Sequence, residues 1–184
     1  MLRRIFRVAV VFVVLLALGA AVLILLGRPR LENARSDVNA AWGGLSRSLD
    51  ARYHALDKTS QTVESVDPAK DDRTIYRQIE NSLNRWGVVR RDPELGPPAA
   101  NRIEALANRL RAVVLGSPKL RANPVAVNAF AGFDAAVAPA DEVSAYNNAV
   151  QDYQDLREDT ITGIVARFLG YEARIMYEGP AATA

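Results

Sequence analysis

Cysteine is absent from the 184-residue chain, and histidine occurs only once. The absence of cysteine excludes disulfides, thiolate nucleophiles and cysteine metal sites in any compartment. The sequence also has no glycine-rich phosphate loop and no Gly-x-Ser-x-Gly nucleophile elbow, so the signatures of two common kinds of catalytic site are missing. We therefore expect a protein that is not an enzyme and that carries no cofactor.

Acidic residues are absent from the first 31 positions, whereas the same stretch holds five arginines. Residues 31–184 contain 18 lysines and arginines against 21 aspartates and glutamates, so their net charge is about −3 although the whole chain is +2. The basic pI therefore belongs to the N-terminal stretch. We expect no nucleic-acid partner, and no small-molecule substrate is evident.

Residues 8–27 contain no charged side chain. A helix of twenty residues at about 1.5 Å per residue is roughly 30 Å long, which matches the hydrocarbon thickness of a bilayer. The run is longer than the apolar part of a signal peptide and ends without a small-residue cleavage pattern. We expect an uncleaved anchor over residues 1–30 of a single-pass membrane protein, with the lipid bilayer as its first partner. Its lipid-facing residues include Val8, Phe12, Leu16, Leu23 and Leu26.

The arginines on either side of the run predict its orientation. Three arginines and the terminal amine precede it, and three arginines follow within the next 19 residues. The positive-inside rule favours a cytoplasmic N-terminus and an extracytoplasmic domain. Gly27 and Pro29 predict a kink or a short break where the span ends.

Beyond residue 30 the apolar positions have helical spacing. They predict a long helix over residues 31–66, shorter helices near 75–86 and 103–116, a loop over 87–98, a short apolar segment after 124 and a last long helix from 141 to 170. No alternating pattern bounded by hairpin turns occurs, so strands are not expected. The fold class is all-α: an anchor followed by an elongated antiparallel bundle of about four helices over residues 31–178, with a disordered tail at 179–184.

Two of these helices carry apolar seams with alternating spacings of three and four, as in coiled coils. Arg35, Arg52 and Thr59 interrupt the first seam, which favours a bundle over a strict two-stranded coiled coil. The predicted seam residues are Val38, Trp42, Leu45, Leu49, Leu56, Val63, Tyr146, Val150 and Tyr153.

His54 shares a helical face with Asp50 and Asp57. The cluster is either a set of solvated ion pairs or a small metal site of a carboxylate-metal enzyme. Metal sites in helical bundles draw their ligands from several helices, so the spacing favours the ion pairs, and we expect no metal.

Tyr146-Asn147 and Tyr153-Gln154 stand seven residues apart, and each pairs a tyrosine with an amide. One interpretation is that the rings line the seam while their hydroxyls reach a polar edge. The other is that these side chains contact a ligand or partner.

The end of the chain is unusually apolar. It either packs into the core or forms an exposed surface that contacts lipid or another protein. The residues proposed for such a contact are Phe168, Tyr171, Ile175 and Met176.

Several local patterns occur in the order found in one family. They are Ala41-Trp42, Arg52-Tyr53 with Leu56, Val63-Glu64, the segment Pro118-Lys119-Leu120-Arg121-Ala122-Asn123, Tyr146-Asn147-Asn148-Ala149-Val150 with Tyr153, and Phe168-Leu169-Gly170-Tyr171. In this order the chain resembles LemA family proteins. It departs from their pattern at Pro139, Val143 and Gln154, as a divergent member would.

The resemblance implies one membrane span, in a bacterial inner membrane, an elongated helical bundle and no defined catalytic residues. Our first hypothesis is a membrane-anchored interaction or scaffolding protein that binds protein partners or itself. The alternative is a membrane-remodelling or lipid-surface module in which the C-terminal apolar segment docks beside the anchor. A carboxylate-metal enzyme is a remote third hypothesis.

Overall fold

The computed structural model describes residues 2–68 and 73–180, with the side chains of residues 2–11, 16, 20 and 73 excepted. Within these ranges the chain is mostly helical and no strand forms, so the predicted all-helical class is confirmed for them. The helices are α1 (Leu2–Val66), α2 (Arg73–Val89), α3 (Gly96–Gly116), α4 (Pro118–Arg121), α5 (Pro124–Asn128), α6 (Phe130–Ala135), α7 (Ala140–Glu158) and α8 (Thr160–Leu169). The antiparallel four-helix arrangement stays a prediction.

Helix α1 combines the apolar run and the first predicted bundle helix in 65 residues. It ends at Val66, where the sequence predicted its end, but it continues through Gly27 and Pro29, so a break there was wrong. Proline removes only one donor from a helix, and Pro29 occupies an exposed position where its ring is not crowded by another element.

Three other boundaries differ from the prediction. Helix α2 extends to Val89, into the predicted loop. Helix α3 already begins at Gly96, because Pro97 and Pro98 occupy its first turn, where a missing amide donor has no helical partner to lose. The predicted last helix divides into α7 and α8 at Asp159, whose carboxylate accepts the Ile161 and Thr162 amides at 3.1 and 3.2 Å. Gly170 ends α8 in the left-handed conformation, with φ of 72°.

The chain forms two compact units. The first unit comprises Met1–Asp37 and Ala149–Arg174, and the second comprises Val38–Asn148 and Ile175–Ala184. In the first unit, Leu31 of α1, Tyr153 of α7 and Val165 of α8 are buried. Of the predicted tail at 179–184, residues 181–184 lie outside the described part of the chain.

A cluster of aromatic side chains lies in the core of the second unit. The Trp42 ring lies 6.1 Å from that of Trp86 and 5.2 Å from that of Tyr146, and Tyr53 lies 4.9 Å from Trp86. Trp42 Nε1 donates to the Arg90 carbonyl at 2.9 Å. These contacts join α1, α2 and α7, and such aromatic pairs add roughly 0.5–1.5 kcal/mol each beyond area burial.

The predicted seam residues are all buried. They are Val38, Trp42, Leu45, Leu49, Leu56, Val63, Tyr146, Val150 and Tyr153.

Candidate functional site

The chain after α8 is an extended segment without helix or strand, which we call the C-terminal segment (residues 171–178). Such a segment cannot satisfy its own peptide groups, and buried peptide groups need partners. In each unit these partners are side chains of neighbouring helices.

In the second unit, two asparagines bind the main chain of the segment in the same bidentate manner. Asn147 donates from Nδ2 to the Tyr177 carbonyl at 3.0 Å and accepts the Tyr177 amide at 2.9 Å. Asn101 donates to the Met176 carbonyl at 2.8 Å and accepts the Glu178 amide at 2.9 Å. A side-chain amide offers a donor and an acceptor as a neighbouring strand does, so this pair of contacts recognises an extended peptide irrespective of its side chains.

Tyr177 supplies the side-chain contact of this site. It is buried, and its hydroxyl donates to Glu104 Oε1 at 3.2 Å. Burial, together with the nearby charge of Glu104, raises the pKa of Tyr177, so the hydroxyl keeps the proton that it donates.

Glu104 is also the partner of a buried arginine. Arg52 Nε lies 2.7 Å from Glu104 Oε1 and Nη2 lies 2.8 Å from Oε2, with side-chain exposures of 3% and 8%. Arg52 Nη1 donates to the Phe133 carbonyl at 2.9 Å, and the guanidinium lies 3.7 Å from the centre of the Phe133 ring. Burial opposes the charge of Arg52, but the hydrogen bond and charge of Glu104 outweigh it and raise the pKa of Arg52.

Tyr146 completes the site in the second unit. Its hydroxyl donates to the Ile175 carbonyl at 2.6 Å, and its ring packs on Trp42. Burial raises the pKa of Tyr146, which keeps the hydroxyl protonated as a donor. We call the set Arg52, Asn101, Glu104, Tyr146 and Asn147 the segment-binding site.

The first unit holds the preceding part of the segment by the same chemistry. The Tyr153 hydroxyl donates to the Glu172 carbonyl at 2.9 Å, and Gln154 Nε2 donates to the Arg174 carbonyl at 2.7 Å. Arg157 Nε donates to the Tyr171 carbonyl at 3.0 Å. Each tyrosine and amide pair of α7 thus binds main-chain carbonyls of the chain's own C-terminal segment.

Some of the residues predicted for a partner or lipid contact are bound by the helices, and others have exposed side chains. Tyr171 and Met176 are half-buried and bound through their carbonyls. Ile175 is also bound through its carbonyl, but its side chain is exposed, as is that of Phe168. The C-terminal region is therefore neither wholly core nor wholly surface.

The His54 cluster has a structural explanation that needs no metal. Asp50 accepts from Trp86 Nε1 at 2.9 Å and pairs with Arg90 Nη1 at 2.6 Å, while His54 is exposed. A groove of about 300 Å³ runs beside these residues. Among residues 2–68 and 73–180, no three metal-ligating side chains are grouped as a metal site requires.

The apolar part of α1 is long and apolar enough to cross a membrane, by length and composition. Its described side chains are largely exposed: Phe12 is 61% accessible, Leu26 is also exposed and Leu23 is half-buried. Val8 and Leu16 belong to the same helix, but their side chains lie outside the described part.

Arg52, Glu104 and Asn101 were not predicted as site residues. Arg52 did carry a signal, because an arginine at a seam position needs a buried acidic partner. Comparison of the chain with family models, curated proteins and solved structures finds no match.

Proposed function

We propose that the protein is a membrane-anchored, non-enzymatic interaction module that binds extended polypeptide segments. We further propose that it is a divergent LemA-type protein whose bundle helices are antiparallel. The observation that carries the function is the segment-binding site, in which Asn101 and Asn147 contact main-chain groups of the segment and the Tyr177 hydroxyl reaches Glu104. The exposed apolar part of α1 supports the anchor.

The partner has a chemistry that the site defines. It is an extended peptide with a tyrosine, because the phenol hydroxyl reaches a carboxylate that already pairs with Arg52. In the chain as it stands, residues 175–178 occupy the site. A tethered ligand has an effective concentration in the millimolar range, so a free peptide competes with it at a disadvantage of roughly 10- to 100-fold if its own Kd is 10–100 μM.

Peptide binding to the full chain in detergent or nanodiscs tests the function. A fluorescent peptide with the sequence of residues 171–180 is expected to bind the Tyr177→Ala variant at least tenfold more tightly than the wild type, because the weakened internal segment yields the site. A control peptide with alanine in place of Tyr177 is expected to lose most of this affinity.

Two further variants make the result decisive. Asn147→Leu, combined with Tyr177→Ala, removes both main-chain contacts of that amide and is expected to bind neither peptide. The same measurement is repeated on a chain that ends at Arg174, in which the residues that occupy the site have been removed. The absence of saturable binding to helical, folded protein in both Tyr177→Ala and the shortened chain would contradict the function.

We propose the extracytoplasmic side of a bacterial inner membrane for the domain, as the arginine distribution favours. Activity of a C-terminal reporter only on the cytoplasmic side would reverse this orientation. A carboxylate-metal enzyme is not proposed, because Trp86 and Arg90 already engage the two carboxylate oxygens of Asp50. The lipid-surface alternative is supported by a separate observation, the exposed apolar side chains of α8.

A further inference from the structure

Helix α8 presents an exposed apolar face. Ile161, Ile164 and Phe168 are 51%, 56% and 76% accessible, and their spacings of three and four place them on one side of the helix. The buried part of the helix surface includes Val165 and Ala166. A helix that is apolar on both sides has more apolar surface than its own unit covers, which indicates an apolar partner.

The position of α8 identifies that partner. Gly27, the last residue of the apolar run, is buried against α8: a Cβ atom at Gly27 would lie 3.0 Å from Val165 Cγ2. Earlier residues of the run such as Phe12 are exposed, whereas Leu23 is already half-buried. Helix α8 therefore packs where α1 leaves its apolar run.

Basic side chains surround the same place. Arg28 and Arg35 line a cleft with Leu169, Gly170 and Tyr171, at the C-terminal end of α8. Arg167 lies in the last turn of α8 and is exposed. Apolar side chains with arginines beside them are typical of helices that lie in the boundary between headgroups and acyl chains.

We propose that α8 is an interfacial helix whose Ile161, Ile164 and Phe168 side chains enter the boundary of a phospholipid bilayer beside the end of the anchor. The inference rests on the anchoring part of the proposed function and is independent of peptide binding. The bilayer is favoured over a protein occupant because α8 is packed against the residue at which the apolar run ends. The face thus meets lipid without any further rearrangement.

Spin labelling of the full chain tests this depth, and the lack of native cysteine allows single labels. A nitroxide at Phe168→Cys is compared with Leu25→Cys, on the exposed apolar run, and with Ser36→Cys, an exposed position nine residues beyond Gly27, about 13 Å along α1. The protein is reconstituted in nanodiscs of phosphatidylcholine and phosphatidylglycerol. Collision rates with oxygen and with a water-soluble nickel chelate are then measured.

The label at Phe168 is expected to collide often with oxygen and rarely with nickel, close to the ratio at Leu25, whereas Ser36 is expected to be aqueous. If the Phe168 label has the same ratio of oxygen to nickel collisions as the aqueous Ser36 label, the inference about α8 is overturned, whereas the membrane anchor is unaffected. A label shielded from both reagents shows a protein or a second copy on this face and also overturns it. An aqueous Leu25 label overturns the anchor, and the inference with it.

A second variant tests the link to the anchor. Gly27→Leu places a side chain where Val165 now lies, and it is expected to move the Phe168 label towards the aqueous ratio while Leu25 stays in lipid. An unchanged Phe168 label would show that α8 reaches its position without the Gly27 contact, against the argument from packing.

Discussion

The Arg52–Glu104 pair makes the stability of the second unit depend on a buried charge. Replacing Arg52 with methionine keeps the aliphatic volume but removes both hydrogen bonds to Glu104 and the donor to the Phe133 carbonyl. The Glu104 carboxylate then stays buried without its cationic partner, although it still accepts from the Tyr177 hydroxyl. Removing one partner of a buried pair costs about 3–5 kcal/mol, so we expect Arg52→Met to destabilise the unit by this amount.

Urea denaturation of the full chain in micelles measures the loss. Trp42 and Trp86 are both buried in the second unit, so intrinsic fluorescence reports the unfolding of the unit that contains the pair. With a denaturant slope of about 1–3 kcal/mol per molar urea, a loss of this size lowers the midpoint by roughly 2 M.

A surface arginine of the same unit is the matched control. Arg111 pairs with Asp134 and lies 5.0 Å from the centre of the Phe130 ring, but the pair is 41% and 51% exposed. Exposed pairs contribute about 0–1 kcal/mol, so Arg111→Met is expected to cost no more than that.

The double variant Arg52→Met/Glu104→Leu decides the mechanism. It removes both charges, so it should be more stable than either single variant, with about 1–3 kcal/mol still lost for the unpaired Phe133 carbonyl and Tyr177 hydroxyl. Equal losses for Arg52→Met and Arg111→Met would refute the reasoning. A double variant as unstable as the sum of its singles would refute it as well.

Two other predictions concern single positions. Gly96→Ala is expected to destabilise the second unit by about 1–3 kcal/mol in the same fluorescence assay, because its Cβ would lie 2.5 Å from Trp42 Cζ2, whereas Gly116→Ala, with open space around it, is expected to cost less. Hydrogen bonds from the Thr162 and Ile161 amides lower the pKa of Asp159. The ionised carboxylate therefore stabilises the first unit fully above the ordinary carboxyl pKa, and this stabilisation is lost as the pH falls through the lowered pKa of the folded state. Asp159→Ala is therefore expected to speed amide exchange in α8 at neutral pH, and a difference that persists after Asp159 is protonated would contradict the cap.

The helices of this chain were predictable where periodicity ended in a clear stop. The ends of α1 at Val66 and of α3 at Gly116 follow from the apolar spacing and the residues after it. The division at Asp159 was missed because apolar spacing continues on both sides of it, and a single capping carboxylate does not interrupt that pattern. Local hydrogen bonding decided the boundary.

The segment-binding site was predictable only in part. The repeat of Tyr146-Asn147 at Tyr153-Gln154 was visible, since seven residues return to the same helical face. The partner was not, because residues 171–178 form no helix or strand and have no periodicity to read. An asparagine that binds a remote main chain, such as Asn101, leaves no local signal at all.

The composition of the segment-binding site also bears on whether its occupant exchanges. Docking of Tyr177 buries an aromatic ring, which favours the bound segment. The same docking keeps water from Arg52 and Glu104, and buried charges are more stable when hydrated, which favours release. The amide contacts of Asn101 and Asn147 replace hydrogen bonds to water and add only about 0.5–1.5 kcal/mol each. The burial of the Tyr177 ring and the amide contacts thus favour the bound segment, hydration of the Arg52–Glu104 pair opposes it, and the balance between them sets how readily the segment leaves the site.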